Sequence, residues 1–253
     1  MSFFPTTEHR ASDGVKAFNM AIVGPPGSGK TTLACSAPDC LLLAAEAGYA
    51  YIDGPRVQPI HKWMGDGKDS TSFVDNVNLL VSGDHPFKWV VIDSMGALYN
   101  LAVAAVGTHY GFKHPMEGLQ RCNLKSARPV DYGRAYSAVA NPFKSEITKL
   151  FGRGFGVILI SHDTERDISG KHVVDANIPK SAYTDISAAI DVSLYTYCKT
   201  EKNKPPRFIA RTHGDENLAC AKDRTGTLPP ILDIPKYNGF QHILDTINSG
   251  LKE

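Results

Sequence analysis

The chain is poor in the features that mark the narrower protein classes. Its 253 residues include five cysteines, Cys35, Cys40, Cys122, Cys198 and Cys220, with no CxxC pair and no regular spacing. That pattern excludes a zinc ribbon and a disulfide framework, and it reads as small apolar residues in a reducing compartment. No apolar run reaches the ~18 residues that would suggest a membrane span. The opening stretch MSFFPTTEHRASDG lacks a basic start followed by a long apolar segment, so no signal peptide and a cytoplasmic location are expected. Net charge is only +1, which gives no global attraction to nucleic acid or membrane. Any surface for nucleic acid must then be a local patch. There is no internal repeat.

What is present is an alternation of short apolar runs with helical patterns. Residues 1–15 are polar and read as a loose arm, with residues 16–253 forming one domain. Strands are expected at Phe18–Val23, Cys40–Ala45, Arg56–Trp63, Lys88–Ser94, Phe155–Ser161, Val192–Cys198, Arg207–Arg211 and Leu218–Ala221. Helices are expected at Gly29–Ala37, Ser70–Val81, Met95–Val106 (closed by Gly107), Asp131–Phe151, Ser181–Ile190 and Phe240–Ile247. Pro142 either kinks the fourth of these or starts a new helix. Residues 107–130 form a basic insert and 162–180 a polar loop. Strands alternating with helices predict an α/β fold: three layers around a mainly parallel sheet, with ligands at the carboxyl ends of the strands.

One motif is specific. Gly24-Pro25-Pro26-Gly27-Ser28-Gly29-Lys30-Thr31-Thr32 follows an apolar strand and opens a helix, fitting G-x-x-x-x-G-K-[ST] throughout. Glycines let backbone N–H groups converge on phosphate oxygens, and the helix aims its positive end at them. Lys30 is expected to reach the β- and γ-phosphates of ATP, and Thr31 to bind Mg²⁺. Asp93 ends the strand WVVID, where it can hold Mg²⁺ or simply cap the next helix. Glu46 follows LLLAA, at the end of the next strand. It is either a base for the attacking water or a solvated loop carboxylate. Ser161 and His162 end VILISH, where His162 is either a γ-phosphate sensor or structural. Lys222 and Arg224 alternate in AKDRTG and share a direction if extended. They are either a cation pair for a neighbouring subunit's nucleotide or a solvated hairpin.

Taken in order, GPPGSGKTT, LLLAAEAGYAY, WVVIDSMGAL, DYGRAYSAVANPFKSEITKL, VILISHD, IDVSLYTY and AKDRTG cover most of residues 18–228. This set resembles the RecA superfamily and, within it, small phage-encoded RecA-like ATPases that act as single-strand annealing recombinases. The resemblance implies a RecA-like three-layer P-loop fold and an ATPase stimulated by single-stranded DNA, at work in the host cytoplasm. It puts Glu46 at the family's water-activating glutamate and Asp93 at its Mg²⁺ aspartate. His162 stands where RecA has a glutamine sensor. Lys222 and Arg224 resemble the pair that reaches a neighbour's γ-phosphate, which implies a homo-oligomeric ring or filament. A single-strand binding protein is a further candidate partner. The chain departs from the pattern at LAAE, where an Asp often stands two positions before the Glu, and no separate DNA-binding domain is evident.

By the same resemblance, DNA runs along two loops, 107–130 and 163–180. The first carries Lys113, Arg121, Lys125 and Arg128 interleaved with His109, Tyr110, Phe112 and His114; the second carries Arg166 and Lys171. Cations with a stacking aromatic are the minimum for binding a single strand, while a basic loop is also an ordinary solvated surface. Two other functions use the same loop chemistry: a small-molecule kinase for a nucleotide-type acceptor, with the insert as its lid, and an ATP-gated module that loads DNA or a partner.

Overall fold

The computed structural model describes residues 17–109, 132–168 and 170–252. The N-terminal arm and most of the basic insert, including Lys113, Arg121, Lys125 and Arg128, lie outside them.

The apolar runs become strands. These are β1 (Asn19–Val23), β2 (Cys40–Ala44), β3 (Arg56–Pro59), β4 (Trp89–Asp93), β5 (Gly156–Ser161) and β8 (Val192–Lys199), pairing in the parallel order β3-β2-β4-β5-β1-β8. The central β1, β2, β4 and β5 are buried on both faces, while the edge strand β3 is not. Continuous apolar strands of this kind belong in parallel sheets covered by helices on both sides. The sheet is extended antiparallel by β9 (Arg207–Arg211) and β11 (Ile231–Ile234), with the short β10 (Lys222–Asp223) on the first half of β8.

Strand residues alternate between two cores. Ala21, Leu41, Leu43, Val90, Ile92, Val157 and Leu159 face one layer, made of α2 (Phe73–Ser82), α3 (Met95–His109), α4 (Tyr132–Lys149) and α5 (Lys180–Ala189). Met20, Ile22, Leu42, Val91, Ile158, Ile160 and Leu194 face the other, made of α1 (Lys30–Cys35) and α6 (Gly239–Gly250). Each layer is centred on a tryptophan. Trp63 stacks on Phe73 and Phe143 at 5.3 and 5.6 Å, and Trp89 meets Phe240 and Phe18 edge-on at 4.5 and 5.3 Å. At the β4–β5 register Trp89 lies over Gly156, where a Cβ would fall 2.0 Å from its ring.

Three expectations are corrected, and the alternative left open at Pro142 is settled. The 162–180 loop contains a hairpin of β6 (Asp163–Ile168) and β7 (Lys171–Ala176), a separate two-stranded sheet turned through Gly170 at φ 80°. Leu218 and Ala219 pair with Val174 of that hairpin, so the main-sheet strand in this region is β10 instead. α3 runs through Gly107 to His109. α4 is one helix, because Pro142 sits on its exposed face, where the carbonyl that loses its partner can turn to water.

Candidate functional site

Every chemically interesting strand end lies on one edge of the sheet. β1 feeds the glycine loop. β5 sits between β1 and β4, so His162 stands beside the loop while Asp93 is one strand further along. β2 follows β4 and delivers Glu46, whose N–H donates to Asp93 O at 3.2 Å, beside that of Ala45 at 2.6 Å. Parallel strands that all end at one level do this unaided.

Within the loop, Gly24 passes so close to β8 that a Cβ would lie 2.2 Å from Thr196 O. Gly29, at φ 80°, has the Phe208 ring where its Cβ would be, at 3.0 Å, and Gly27, at φ 77°, faces open space. Ser28 Oγ and Thr196 Oγ1, 3.0 Å apart, pin the loop's far side. Lys30 is buried, and its Nζ donates to Gly24 O at 2.8 Å and Pro25 O at 2.7 Å. Thr31 Oγ1 donates to Asp93 Oδ2 at 2.6 Å. Burial lowers the Lys30 ammonium from its ordinary value, opposed by the charges of Asp93, Asp163 and Glu46. Burial likewise raises the Asp93 carboxyl, with Glu46 adding to the rise and Thr31, Lys30 and His162 opposing it. A buried cation beside the buried Asp93 carboxyl and the half-buried Asp163 and Glu46, held by carbonyls it can release, suits a polyanion that arrives with its own cation. Thr31 and Asp93 offer hard oxygen donors, the few that Mg²⁺ takes from protein when phosphates supply the rest. The residues therefore fit ATP and Mg²⁺.

Glu46 is held at both carboxylate oxygens. Ser94 Oγ donates to Oε1, and His162 Nε2 lies 3.3 Å from Oε2. A cavity of about 480 Å³ opens beside them, lined in part by Asn100 and Asn177. On the other side of the loop a cavity of about 180 Å³ runs along α1 beneath Phe208, Ile209, Ile234 and Pro235.

The expected residues do not all gather here. Lys222 and Asp223 pair with Ser193 and Val192, level with the start of β1, and Arg224 N–H donates to Asp191 O. At ~3.3 Å per residue, Arg224 sits about 15 Å of strand away from the loop. The Lys222 ammonium donates to Ser187 O at 2.7 Å; burial and then Arg224 lower its pKa. Arg166, expected to face DNA, is turned inward instead. Its Nη2 donates to Ala176 O at 2.8 Å and Ile178 O at 2.6 Å, the guanidinium fork spanning two neighbouring carbonyls. Lys171 is exposed, 2.7 Å from Glu216. Ser94, Asp163, Thr196 and Phe208 were missed from the sequence. Asp163 adds a carboxylate beside Lys30 and accepts from Tyr195 OH at 3.0 Å.

A glycine loop on the central strand of a mainly parallel sheet, with a second acidic strand end two places away, is the architecture of a RecA-like P-loop ATPase domain. The family model for the AAA domain AAA_24 matches residues 16–225, and the chain belongs to that family. No curated protein sequence matches it. Among solved structures it is similar to the flagellar accessory protein FlaH from Methanocaldococcus jannaschii, with TM-score 0.41 and 11% identity over 88% of this chain and 87% of that one.

Proposed function

We propose that the chain is an ATP-hydrolysing, Mg²⁺-dependent protein of phage RecA-like type that works on single-stranded DNA in annealing or strand exchange. The observation that carries the catalytic part is the convergence of Lys30, Thr31, Asp93, Glu46 and His162 on one sheet edge. Lys30 leaves the loop carbonyls for the β- and γ-phosphates. Thr31 and Asp93 would hold Mg²⁺, which would neutralise charge at the phosphate oxygens. Glu46 takes the proton of the attacking water, and His162, on the strand between loop and metal, responds to the γ-phosphate. The cavity under Phe208 seats the base.

The DNA part rests on the basic composition of the insert, on exposed Lys171, and on the sequence resemblance. Lys222 and Arg224 lie too far from their own loop to serve it, which supports their use on a neighbour's nucleotide in a ring or filament.

The test is ATP hydrolysis with and without single-stranded DNA, beside Lys30→Ala as a blank. Turnover is expected to rise with DNA, and Glu46→Gln to lower kcat by ~10²-fold or more. No DNA effect together with phosphate transfer to a nucleoside or nucleotide would overturn the reading in favour of a kinase. Undiminished DNA binding and partner loading in Glu46→Gln would favour an ATP-gated module.

A further inference from the structure

Ser94 lies between the metal-strand aspartate and the first turn of α3, and it is 1% exposed. Its hydroxyl oxygen accepts from Ala97 N–H at 3.3 Å, and its carbonyl accepts from Leu98 N–H at 2.9 Å, so it caps the helix. A cap needs only an acceptor. The single hydroxyl proton is therefore free for another partner, and it is directed to Glu46 Oε1. We propose that Ser94 is a positioning residue that aims the hydrolytic carboxylate, an inference resting on the reading of Glu46 as the base.

The geometry gives the hydroxyl a definite task. The main chain of Glu46 is tied to Asp93 O, the residue before Ser94, and its side chain to Ser94 itself. A glutamate at a strand end has several rotatable bonds, and these two anchors reduce them to one arrangement. Each carboxylate oxygen keeps a lone pair after accepting once, so the bond to Ser94 orients the base without consuming it. The cavity alongside, with Asn100 and Asn177 among its lining residues, gives the carboxylate room to move into. Without the hydroxyl, Glu46 can swing into that cavity and lose its aim. Serine is suited to both tasks because the cap uses its lone pair and the aim uses its proton. His162 at 3.3 Å is the looser of the two holds on Glu46.

The experiment compares steady-state ATP hydrolysis and nucleotide affinity in the full chain for Ser94→Ala, Ser94→Gly, Ser94→Thr, Glu46→Gln and Ser94→Ala/Glu46→Gln, each well below its own melting temperature. Ser94→Gly keeps a tolerated capping residue while removing the donor. Ser94→Ala and Ser94→Gly are expected to lower kcat by ~10–100-fold with KM within about twofold, and Ser94→Thr to recover most of the loss. The double variant should be no slower than Glu46→Gln, because the hydroxyl acts only through that carboxylate. A further fall in the double variant, or a loss seen in KM rather than kcat, would overturn the proposal. So would full activity in Ser94→Gly while Glu46→Gln is inactive, and then only the role of Ser94 fails. Full activity in Glu46→Gln would instead remove the base itself and the positioning role with it.

Discussion

At the residue scale, the site trades stability for charge chemistry. Burial raises the Asp93 carboxyl, so the folded, nucleotide-free chain holds that proton more tightly than the unfolded chain does. A carboxyl raised on folding makes the folded state more stable as pH falls through its folded pKa, down toward the ordinary 3.8, and costs stability above that window. Asp93→Asn keeps an acceptor for Thr31 and removes the charge. Without Mg²⁺ or nucleotide at neutral pH, its melting temperature should rise by on the order of 2–4 °C while hydrolysis is lost. Calorimetry at several pH values should show the gap closing toward acid. The proposed seat for the nucleotide base makes a second prediction. Ser36 Oγ donates to Leu33 O and accepts from Phe240 N–H, and Thr196 is paired with Ser28, which leaves Thr32 and Lys236 as the polar side chains of the lining, neither of them a paired donor and acceptor that would tell adenine from guanine. ATP and GTP should therefore be used within about tenfold in kcat/KM, and Phe208→Ala should raise KM for both with kcat kept. That Lys30, Thr31, Asp93 and Glu46 would lie together was legible in the sequence, because each follows an apolar run that ends at the same side of the sheet. Phe208 could not, because an aromatic in a short apolar strand looks like core until β9 is placed against the loop.

At the element scale, the hairpin β6–β7 is the main surprise. Its strands carry Asp163, Glu165, Arg166, Asp167, Lys171 and Asp175, and this charge masks the few apolar residues of β7, so the stretch reads as loop. What holds it is Arg166 bonding across to Ala176 and Ile178, Leu218 and Ala219 pairing along Val174, and a small apolar cluster of Ala176 and Val174 with Val23, Leu218 and Cys220. Arg166→Ala should lower stability by about 1–3 kcal/mol in urea unfolding and leave the salt dependence of DNA binding unchanged. Lys171→Ala should do the reverse, because its ion pair with Glu216 is exposed and its charge faces solvent. β11 was also illegible, since Pro229, Pro230 and Pro235 mark a turn region. Prolines at the ends of an edge strand cost no ladder bonds.

At the scale of the whole molecule, the sequence disclosed the α/β alternation but not the order of strands, because pairing joins residues more than a hundred positions apart. β1 lies between β5 and β8, neither of them its neighbour in sequence. That order sets Lys222 and Arg224 far down the strand from their own loop and makes assembly testable. Inactive Lys30→Ala chains, mixed with inactive chains carrying Lys222→Ala and Arg224→Ala, should regain part of the wild-type ATP turnover if the cations act between subunits. If no activity returns at any mixing ratio, the pair works within its own chain or not at all.

The placement of the two tryptophans gives the fold a built-in optical probe. Trp63 and Trp89 report on opposite helical layers of one sheet. Replacing either with phenylalanine leaves a single emitter whose colour follows one layer alone. If the two melting curves superimpose, the layers come apart as one cooperative unit. If Trp89 moves first, the layer that carries the phosphate-loop helix can loosen while the other stays folded, and nucleotide should delay that emitter before its twin.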